Sequence, residues 1–409
     1  MNKIELLAPA GNFSKFLTAL QFGADDVYIG GKDFSLRAFS ENFTREDIEK
    51  ALQIAHKQGK KVYVAVNIFA KNSDVEPAAR YFEFLSGIGA DAVIITDPGL
   101  IETCGAAAPG LTMHLSTQAN TLNYASVNFW VRQGIKRVIL ARELSVAELS
   151  EIREKVPESV ELEAFVHGAM CISYSGRCLL SNYLNGRDSN RGECVQACRW
   201  KFGVREYEKG GNYLTAEEDE RGTYLMNSKD LNMISHLAPI INAGVTSLKI
   251  EGRMKSEYYL ATVINAYRRA LDDFLENGDS YAKNPLYEKE LRNTAHRAFT
   301  TAYAFGNNAQ TVNYNDSQSQ GNAVFAANVI GYDEEGGFAV IEMRNRFLKG
   351  DVLEVLSPGE NFGKVIVAEK MEDEDGNPVD DAKLVQQKIR LFTSVRLVAG
   401  ELLRRPVQA

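Results

Sequence analysis

The chain has 409 residues, 45% of them hydrophobic and 24% charged, and its formal net charge is −8. Because single hydrophobic cores stop growing near about 250 to 300 residues, we expect two domains. The composition excludes extensive disorder, and the acidic balance excludes a protein that coats nucleic acid along its whole surface. The sequence contains neither a signal-peptide pattern nor an apolar run long enough for a membrane helix, which predicts a cytoplasmic protein with no membrane partner.

Short apolar runs alternate with amphipathic stretches through the first 252 residues, a pattern typical of parallel strands joined by helices. The candidate strands are 4–10, 26–30, 61–67, 92–97, 112–117, 137–141, 160–166 and 247–252. Helical patterns lie between them at 13–22, 45–58, 76–86, 125–133 and 145–155. Eight strand–helix units predict an α/β fold, a closed (β/α)8 barrel of the TIM type. The competing open, doubly wound sheet is disfavoured because no Gly-x-Gly-x-x-Gly turn follows a strand.

The regular alternation is interrupted after the seventh strand, where about 80 residues precede the eighth. An insertion at this end of a barrel strand lies on the face where barrel active sites form. We place it at about 168–228, with a hairpin-like stretch at 204–224. A long helix at 257–275 follows it.

The C-terminal part changes to a period of two, which predicts antiparallel strands. The candidate strands are 324–332, 337–344, 351–356 and 364–368, with a hairpin turn at 334–337. The polar residues 313–322 before them read as a linker. We therefore expect a barrel domain at 1–312, the linker, and a small β-barrel domain at 323–409.

Four of the five cysteines are crowded into the insertion: Cys171, Cys178, Cys194 and Cys198, spaced C-x6-C-x15-C-x3-C. Four thiolates suit a [4Fe-4S] cluster or a tetrahedral zinc ion. Structural zinc sites usually have two tight cysteine pairs and only one pair is tight here, so we expect the cluster. Zinc and an unmetallated group of thiols are the alternatives. Cys104 follows a predicted helix and is expected to be buried.

Basic side chains are concentrated around these cysteines, since residues 171–205 contain six of them and only two acids. The six are Arg177, Arg187, Arg191, Arg199, Lys201 and Arg205. Such a surface could hold an RNA phosphate backbone or offset the negative charge of a cluster. Ordinary solvated arginines are the alternative interpretation.

Alternation along the last two barrel strands predicts which side chains face the pore. Glu163, Phe165 and His167 would point inward from the seventh strand, and Lys249 and Glu251 from the eighth. The charged and titratable members, Glu163, His167, Lys249 and Glu251, are our candidate catalytic residues and would share one end of the barrel. A structural salt-bridge network filling the pore is the alternative.

Further polar residues follow other strands and are candidates for binding a substrate. Asn67, Ser116, Gln118 and Arg142 come at the C-terminal ends of strands three, five and six. Arg177, Arg199 and Arg253 complete the predicted substrate-binding set. Each of the strand-end residues could equally cap a helix or satisfy a backbone group.

The run Glu163-Ala-Phe-Val-His-Gly-Ala-Met-Cys171, followed after four residues by Gly-Arg-Cys-Leu-Leu-Ser181, resembles the signature of peptidase family U32. Three further motifs resemble the same family: the opening ELLAPAG, the RGEC run ending at Cys194 and the KIEGR run starting at Lys249. The resemblance covers the barrel, and the C-terminal β-domain is similar to one found in many members.

The resemblance is closest to the tRNA hydroxylation branch of that family. It implies a [4Fe-4S] cluster at the four cysteines and hydroxylation of a tRNA wobble uridine to 5-hydroxyuridine. It also implies a need for prephenate or a similar small anionic metabolite, with tRNA and a partner subunit of the same family as partners.

Two other functions stay open. A peptidase is one, although no zinc, serine or aspartic protease motif is present and only a pairing of Cys171 or Cys178 with His167 could supply a nucleophile. A non-catalytic iron-sulfur or RNA-binding partner subunit is the other.

Overall fold

The computed structural model describes residues 3–36, 41–200, 227–306 and 319–407. Part of the predicted insertion lies outside the described residues, namely the hairpin-like stretch at 204–224, Lys201 and Arg205. Nothing in the described ranges forms a helix long and apolar enough to cross a membrane.

The first domain is a closed parallel barrel surrounded by helices. Its strands are β1 (Glu5–Ala10), β2 (Asp26–Gly30), β3 (Val62–Val66), β4 (Ala92–Ile95), β5 (Met113–Leu115), β6 (Arg137–Ile139), β7 (Glu161–Ala169), β8 (Asp230–Asn232), β9 (Ser247–Ile250) and β10 (Phe299–Thr300). Strands β1 to β7 and β9 run parallel, and β9 pairs with both β7 and β1. This pairing closes the barrel and confirms the predicted (β/α)8 fold.

The helices fall where the sequence supplies start signals. They are α1 (Phe13–Gln21), α2 (Arg45–Lys57), α3 (Asn72–Gly87), α4 (Pro98–Ala107), α5 (Tyr124–Arg132), α6 (Val146–Lys155), α7 (Leu180–Asn185), α8 (Leu237–Asn242), α9 (Glu257–Asn277) and α10 (Pro285–Leu291). Thr44 caps α2 and Ser145 caps α6 through reciprocal bonds with the third helical residue. The inner faces of the barrel helices are apolar and pack against the strands in one continuous core.

The sequence predicts Cys104 just after a helix, but in the structure it lies inside α4. It is fully buried, as expected, and burial raises the pKa of its thiol to about 12. This cysteine is therefore an inert part of the core.

Two short strands near the insertion were not predicted. Strand β8 pairs antiparallel with the end of β7, and β10 pairs parallel with β8. The β7 strand runs three residues beyond its predicted end at 166, which lets Ala169 pair with Asp230. Strands of two or three residues give too little periodicity to be recognised in a sequence.

The second domain is an antiparallel sheet curled into a half-barrel. Its strands are β11 (Ala323–Asp333), β12 (Phe338–Met343), β13 (Phe347–Leu348), β14 (Val352–Leu356), β15 (Val365–Val367), β16 (Met371–Glu372), β17 (Asp381–Ala382), β18 (Lys388–Phe392) and β19 (Leu402–Pro406). Seven of them form one sheet in the order β15-β14-β19-β11-β12-β18-β16, and β13 pairs with β17. Asp333 pairs with Phe338, which confirms the predicted hairpin turn at 334–337.

The two domains are in direct contact. Leu356 and Leu402 of the second domain belong to the core of the first. The last residues of the predicted linker are attached to the barrel domain, because Gln320 bridges to His296 and the Asn322 N–H donates to the Arg292 carbonyl at 2.8 Å.

Candidate active site at the barrel mouth

A cavity of about 430 Å³ opens at the C-terminal ends of the barrel strands. The barrel contributes Tyr28, Ala65, Asn67, Ile94, Ser116, Gln118, Ile139, Arg142, Phe165, Lys249, Glu251, Arg253 and Lys255. The insertion contributes Met170, Cys171, Ile172, Cys178, Leu180, Ser181, Cys194, Cys198 and Arg199. Strand interiors form the floor and the insertion forms the wall, which is the usual position of an active site in this fold.

All four clustered cysteines line this cavity, and none of them forms a disulfide. Backbone N–H groups point at two of the sulfurs: Ser173 N lies 3.4 Å from Cys171 Sγ and Leu180 N lies 3.3 Å from Cys178 Sγ. Such bonds favour the charged thiolate over the thiol. Burial acts in the opposite direction: it raises the pKa of the Cys171 thiol despite the bond from Ser173, and it raises the pKa of the Cys198 thiol to about 11.

The thiols surround the cavity rather than meet at one point. Across the described ranges, no three His, Cys, Asp or Glu side chains come close enough together to hold a metal ion. A tetrahedral zinc ion would bring four sulfurs to about 3.8 Å from one another, given Zn–S bonds of about 2.3 Å.

Short hydrogen bonds hold the cysteine segment on the barrel. Ser189 Oγ and Asn190 Nδ2 both donate to the Cys178 carbonyl, at 2.5 and 2.8 Å. Arg191 reaches Asp74 at 2.8 Å and the Phe69 carbonyl at 2.7 Å, next to the start of α3. The insertion therefore has a defined position over the mouth even though it contains little regular structure.

Cationic side chains dominate the polar part of the cavity. Arg142, Arg199, Lys249, Arg253 and Lys255 line it, against the acids Glu143 and Glu251. Burial lowers the pKa of Arg199 and of Lys255 from their usual values, because the cavity wall removes water from both. Excess positive charge with restricted water favours a bound anion.

Several of these cations are held by neighbours of known position. Arg142 donates to the Ala169 carbonyl at 2.8 Å and its guanidinium lies 3.9 Å from the centre of the Phe165 ring. Arg253 donates to Ser35 Oγ at 2.9 Å. Lys249 Nζ lies 4.2 Å from the centre of the Tyr28 ring. The cations are thus positioned before any ligand arrives.

Amide side chains add acceptors to the same cavity. Among the described residues, neither Oε1 of the buried Gln118 nor Oδ1 of the half-buried Asn67 has a hydrogen-bond partner. Ser116 is occupied locally, because its hydroxyl accepts from Gln118 N at 3.3 Å. The two amide oxygens can therefore accept hydrogen bonds from a ligand.

The structure brings most of the predicted substrate-binding residues together: Asn67, Ser116, Gln118, Arg142, Arg199 and Arg253 all line the cavity. Arg177 is not among the lining residues. Its Nε donates to the Gln118 carbonyl at 2.6 Å, and its guanidinium lies 5.5 Å from the centre of the Phe69 ring. Arg177 thus supports the chain segment that carries Gln118.

The predicted catalytic group does not assemble at one end of the barrel. Lys249 and Glu251 line the cavity, but Glu163 pairs in register with Ser247, one inward layer or roughly 6.6 Å below Phe165 and Lys249. Glu163 is fully buried there among Arg137, Ser247 and Lys249. The surroundings of Glu163 thus match the alternative interpretation, a structural network of ion pairs inside the pore.

The inward orientation predicted for His167 is wrong. A β-bulge between Phe165 and His167 shifts the register of β7 against β9, so that His167 pairs with Ile250. A bulge turns the following side chain to the other face of the sheet. The ring packs against Tyr259 and Tyr267 of α9 and is not part of the cavity wall, so no Cys–His pair of the kind a thiol peptidase needs is formed.

Gly168, within the sequence motif before Cys171, is required by this bulged geometry. Its φ is +112°, and a Cβ atom at this position would lie 2.5 Å from the Glu251 carbonyl oxygen. No other residue could let β7 approach the end of β9 so closely.

Two charged residues of the cavity, Glu143 and Lys255, were not predicted. Glu143 follows the predicted Arg142 directly, and Lys255 comes two residues after the predicted Arg253. Glu143 accepts from the backbone N–H of Ser175 at 2.8 Å, which links the insertion to the loop after β6. Glu143 follows β6 and Lys255 follows β9, and this position after a barrel strand was the signal that could have identified them.

A closed (β/α)8 barrel with a cysteine-lined, cationic cavity at its C-terminal face defines an α/β-barrel protein with one candidate active site. The chain matches the profile of peptidase family U32 over residues 11–314 and that of the peptidase family U32 C-terminal domain over residues 322–404. It belongs to peptidase family U32, which confirms the resemblance seen in its motifs.

The chain is also similar to three bacterial proteins named for RNA hydroxylation or 5-hydroxycytidine synthesis. tRNA hydroxylation protein P1 of Bacillus subtilis is 39% identical over 414 residues, which cover 98% of this chain and 95% of that protein. tRNA hydroxylation protein P of Escherichia coli is 39% identical over 418 residues, 92% of this chain and 90% of that protein. The Escherichia coli 23S rRNA 5-hydroxycytidine synthase is 34% identical over 282 residues, 69% of this chain and 41% of that protein.

Proposed function

We propose that this protein is an RNA-hydroxylating enzyme whose substrate is tRNA, acting on the wobble uridine to give 5-hydroxyuridine. The observation that carries the proposal is its similarity, over nearly the full chain, to two proteins named for tRNA hydroxylation. The cavity fits this function because its volume of about 430 Å³ can hold a base turned out of an RNA loop. A tRNA substrate would place the protein in the cytoplasm.

Two of the lining groups suit a uracil base. The unpartnered oxygens of Gln118 and Asn67 can accept the imide N–H of uracil, a donor that cytosine lacks at the same ring position. Phe165 and Tyr28 offer ring faces at the cavity floor. Lys249, held between Glu163 and the Tyr28 ring, places a positive charge beside them.

We further propose that Cys171, Cys178, Cys194 and Cys198 hold a [4Fe-4S] cluster. The donor set supports it, because four free thiols line one cavity and two of the sulfurs accept backbone N–H bonds. When bound, the cluster would supply one-electron chemistry at the wall of the cavity.

The cationic excess leads us to propose a second ligand, prephenate or a similar small anionic metabolite. Arg199, Arg253 and Lys255 lie in the cavity wall near the cysteines and could bind its carboxylates. We expect prephenate to raise the melting temperature of the wild type, and to do so less for an Arg253→Gln variant. No shift with either protein would remove the metabolite from the proposal.

The cluster is tested by anaerobic purification followed by absorption spectroscopy and iron, sulfide and zinc analysis. We expect broad absorption near about 400 nm and about four irons per chain, lost in Cys178→Ala. Cys104→Ala is the matched control, because this cysteine is buried in α4 away from the cavity and its loss should leave the iron content unchanged. Zinc in the wild type would overturn the cluster.

The activity is tested in cells by mass spectrometry of tRNA nucleosides. Deletion should abolish 5-hydroxyuridine, and the wild-type gene, but not Cys178→Ala, should restore it. Unchanged tRNA hydroxylation in the deletion strain would contradict the proposed function. A catalytically silent partner subunit would be recognised differently, because purified protein would bind tRNA but modify it only with a second protein added.

A further inference from the structure

The cavity is bordered by a surface of exposed apolar and aromatic side chains that the proposed chemistry does not use. Six large apolar residues in the cysteine segment are exposed: Ile172, Tyr174, Leu179, Tyr183, Leu184 and Trp200. Tyr183 and Leu179 are the most exposed of them, at 84% and 76%. Grouped exposure of this kind marks a binding surface rather than chance.

Helix α7 is the centre of this surface. Its first turn faces the cavity, where Leu180 and Ser181 are part of the wall, while Tyr183 in the same helix points into solvent. The helix packs against the 3₁₀ turn Ala197–Arg199, which leads directly to the half-exposed Trp200. We call Leu179, Tyr183 and Trp200 the α7 platform.

The charges around the platform are positive although the whole protein is acidic. Arg177 and Arg187 are exposed on either side of α7, and Arg199 precedes Trp200. The described cysteine segment, 171–200, contains four arginines and two acids, Asp188 and Glu193, in a chain of net charge −8. Aromatic faces interleaved with arginines are typical of surfaces that bind single-stranded nucleic acid.

We infer that the α7 platform is the docking surface for the single-stranded loop of an RNA, whose unpaired bases stack on Tyr183 and Trp200 beside the nucleotide that enters the cavity. This inference rests on the proposed function, because it assigns the partner surface of the same site. A loop rather than a duplex is favoured, because bases in a duplex are already stacked and present no face to an aromatic side chain. To Arg177 and Arg187, exposed before and after α7, we assign contacts with the flanking phosphates.

The test measures binding of purified, cluster-loaded protein to an RNA hairpin with an anticodon loop, and to a blunt duplex made from the same stem. We expect the hairpin to bind more tightly than the duplex. Tyr183→Ala should weaken hairpin binding about 5- to 100-fold, and Tyr183→Trp, which keeps a stacking face, should bind like the wild type. Trp200→Ala provides an independent second variant with the same expected direction.

Matched controls separate the platform from general effects of exposed residues and charge. Phe129→Ala removes from α5 an aromatic side chain that is exposed by 46%, close to the 43% of Trp200, and should leave binding unchanged. Arg187→Glu should weaken binding and reduce its salt dependence. Arg132→Glu makes the same change of charge in the last turn of α5, at the opposite end of the barrel, and should leave binding unchanged. Iron content and circular dichroism identify any variant that is misassembled.

The outcomes distinguish this inference from the proposed function. If the wild type binds and hydroxylates tRNA but Tyr183→Ala, Trp200→Ala and Arg187→Glu match it, the platform is not the RNA surface and the function stands. If the substitutions instead change self-association or capture of another protein, measured by sedimentation, the platform is a protein interface. A wild type that neither binds the hairpin nor supports tRNA hydroxylation overturns both.

Discussion

Glu163 is a charged side chain that buried ion pairs hold inside the barrel. It has no exposed surface, and its two oxygens accept from Lys249 at 2.6 Å and from Arg137 at 3.1 Å. Burial alone would raise the pKa of this carboxyl, but Lys249 and Arg137 outweigh that effect and lower it. Arg137 also pairs with Glu161 and with Glu5, a carboxyl whose pKa burial raises to about 7, so two cations meet three carboxyl groups in this layer.

Replacing Glu163 by Gln should therefore destabilise the protein before it affects any reaction step. The change removes the carboxylate that pairs with the buried Lys249 and Arg137, which costs about 3 kcal/mol in the free energy of unfolding. Urea denaturation measures it. Glu151→Gln is the control, since its pair with Lys155 is exposed and contributes less than about 1 kcal/mol. A stable but inactive Glu163→Gln variant would return this residue to the catalytic group.

His167 predicts a pH dependence of stability. Burial lowers the pKa of its ring from 6.5 to about 3, while Asp230, facing it, acts in the opposite direction and Lys255 and His296 add to the lowering. Between pH 3 and 6.5 the folded protein keeps the ring neutral, whereas the unfolded chain binds a proton. The stability that the neutral ring contributes is therefore present above pH 6.5 and is lost as the pH falls.

Between pH 7.5 and 5.5 the wild type should lose about 1.4 kcal/mol more of its unfolding free energy than a His167→Gln variant. Urea titrations at the two pH values give this difference, and other titrating groups cancel because both proteins contain them. Equal losses in the two proteins would show that the ring is accessible to protons in the folded state.

At the scale of elements, the cysteine segment depends on the barrel for its position. Its longest helix, α7, has six residues, too few to be stable alone. The pair between Arg191 and Asp74 attaches the segment to α3, where Asp74 also accepts from Lys71 N at 2.7 Å. One carboxylate thus caps a barrel helix and holds the insertion.

Arg191→Ala should loosen residues 171–200 without unfolding the barrel. We expect faster amide hydrogen exchange in that segment, with exchange in the barrel strands unchanged. Lys155→Ala, which removes an exposed ion pair on α6, is the control and should leave exchange in the segment as it is. Uniformly faster exchange over the whole chain would show that Arg191 stabilises the fold in general.

The same scale separates what the sequence could predict from what it could not. The barrel strands are recognisable because parallel strands buried on both faces are continuous apolar runs, such as VYVAV in β3. The cysteine spacing and the residues after strands identified the cavity wall. Alternation failed at His167 because a bulge, which has no sequence period, reverses the faces. It also could not show that Glu163 lies one layer too deep.

At the scale of the whole molecule, a buried arginine joins the two domains. Arg404 on β19 is almost fully buried and makes two bonds to Glu290 on α10 of the barrel domain, at 2.5 and 2.8 Å. It also bonds to Glu354 on the neighbouring strand β14 at 2.7 Å. Stacking of Tyr258 on Phe325 and hydrogen bonds from Asn265 and Arg269 to the Ser357 carbonyl extend the contact. The half-barrel should therefore unfold together with the barrel.

Arg404→Met should uncouple that unfolding. The substitution keeps an apolar side chain of similar length but leaves the buried Glu290 carboxylate without its cation, which costs about 3 to 5 kcal/mol at the domain interface. Because the loss falls on the contact rather than on either core, scanning calorimetry should show one transition in the wild type and two in the variant. Arg405→Met is the matched control. The Arg405 side chain is partly exposed and comes no closer than 3.7 Å to Asp351, so this ion pair contributes little to stability. A single transition in Arg404→Met at the wild-type temperature would mean that the apolar contacts alone unite the domains.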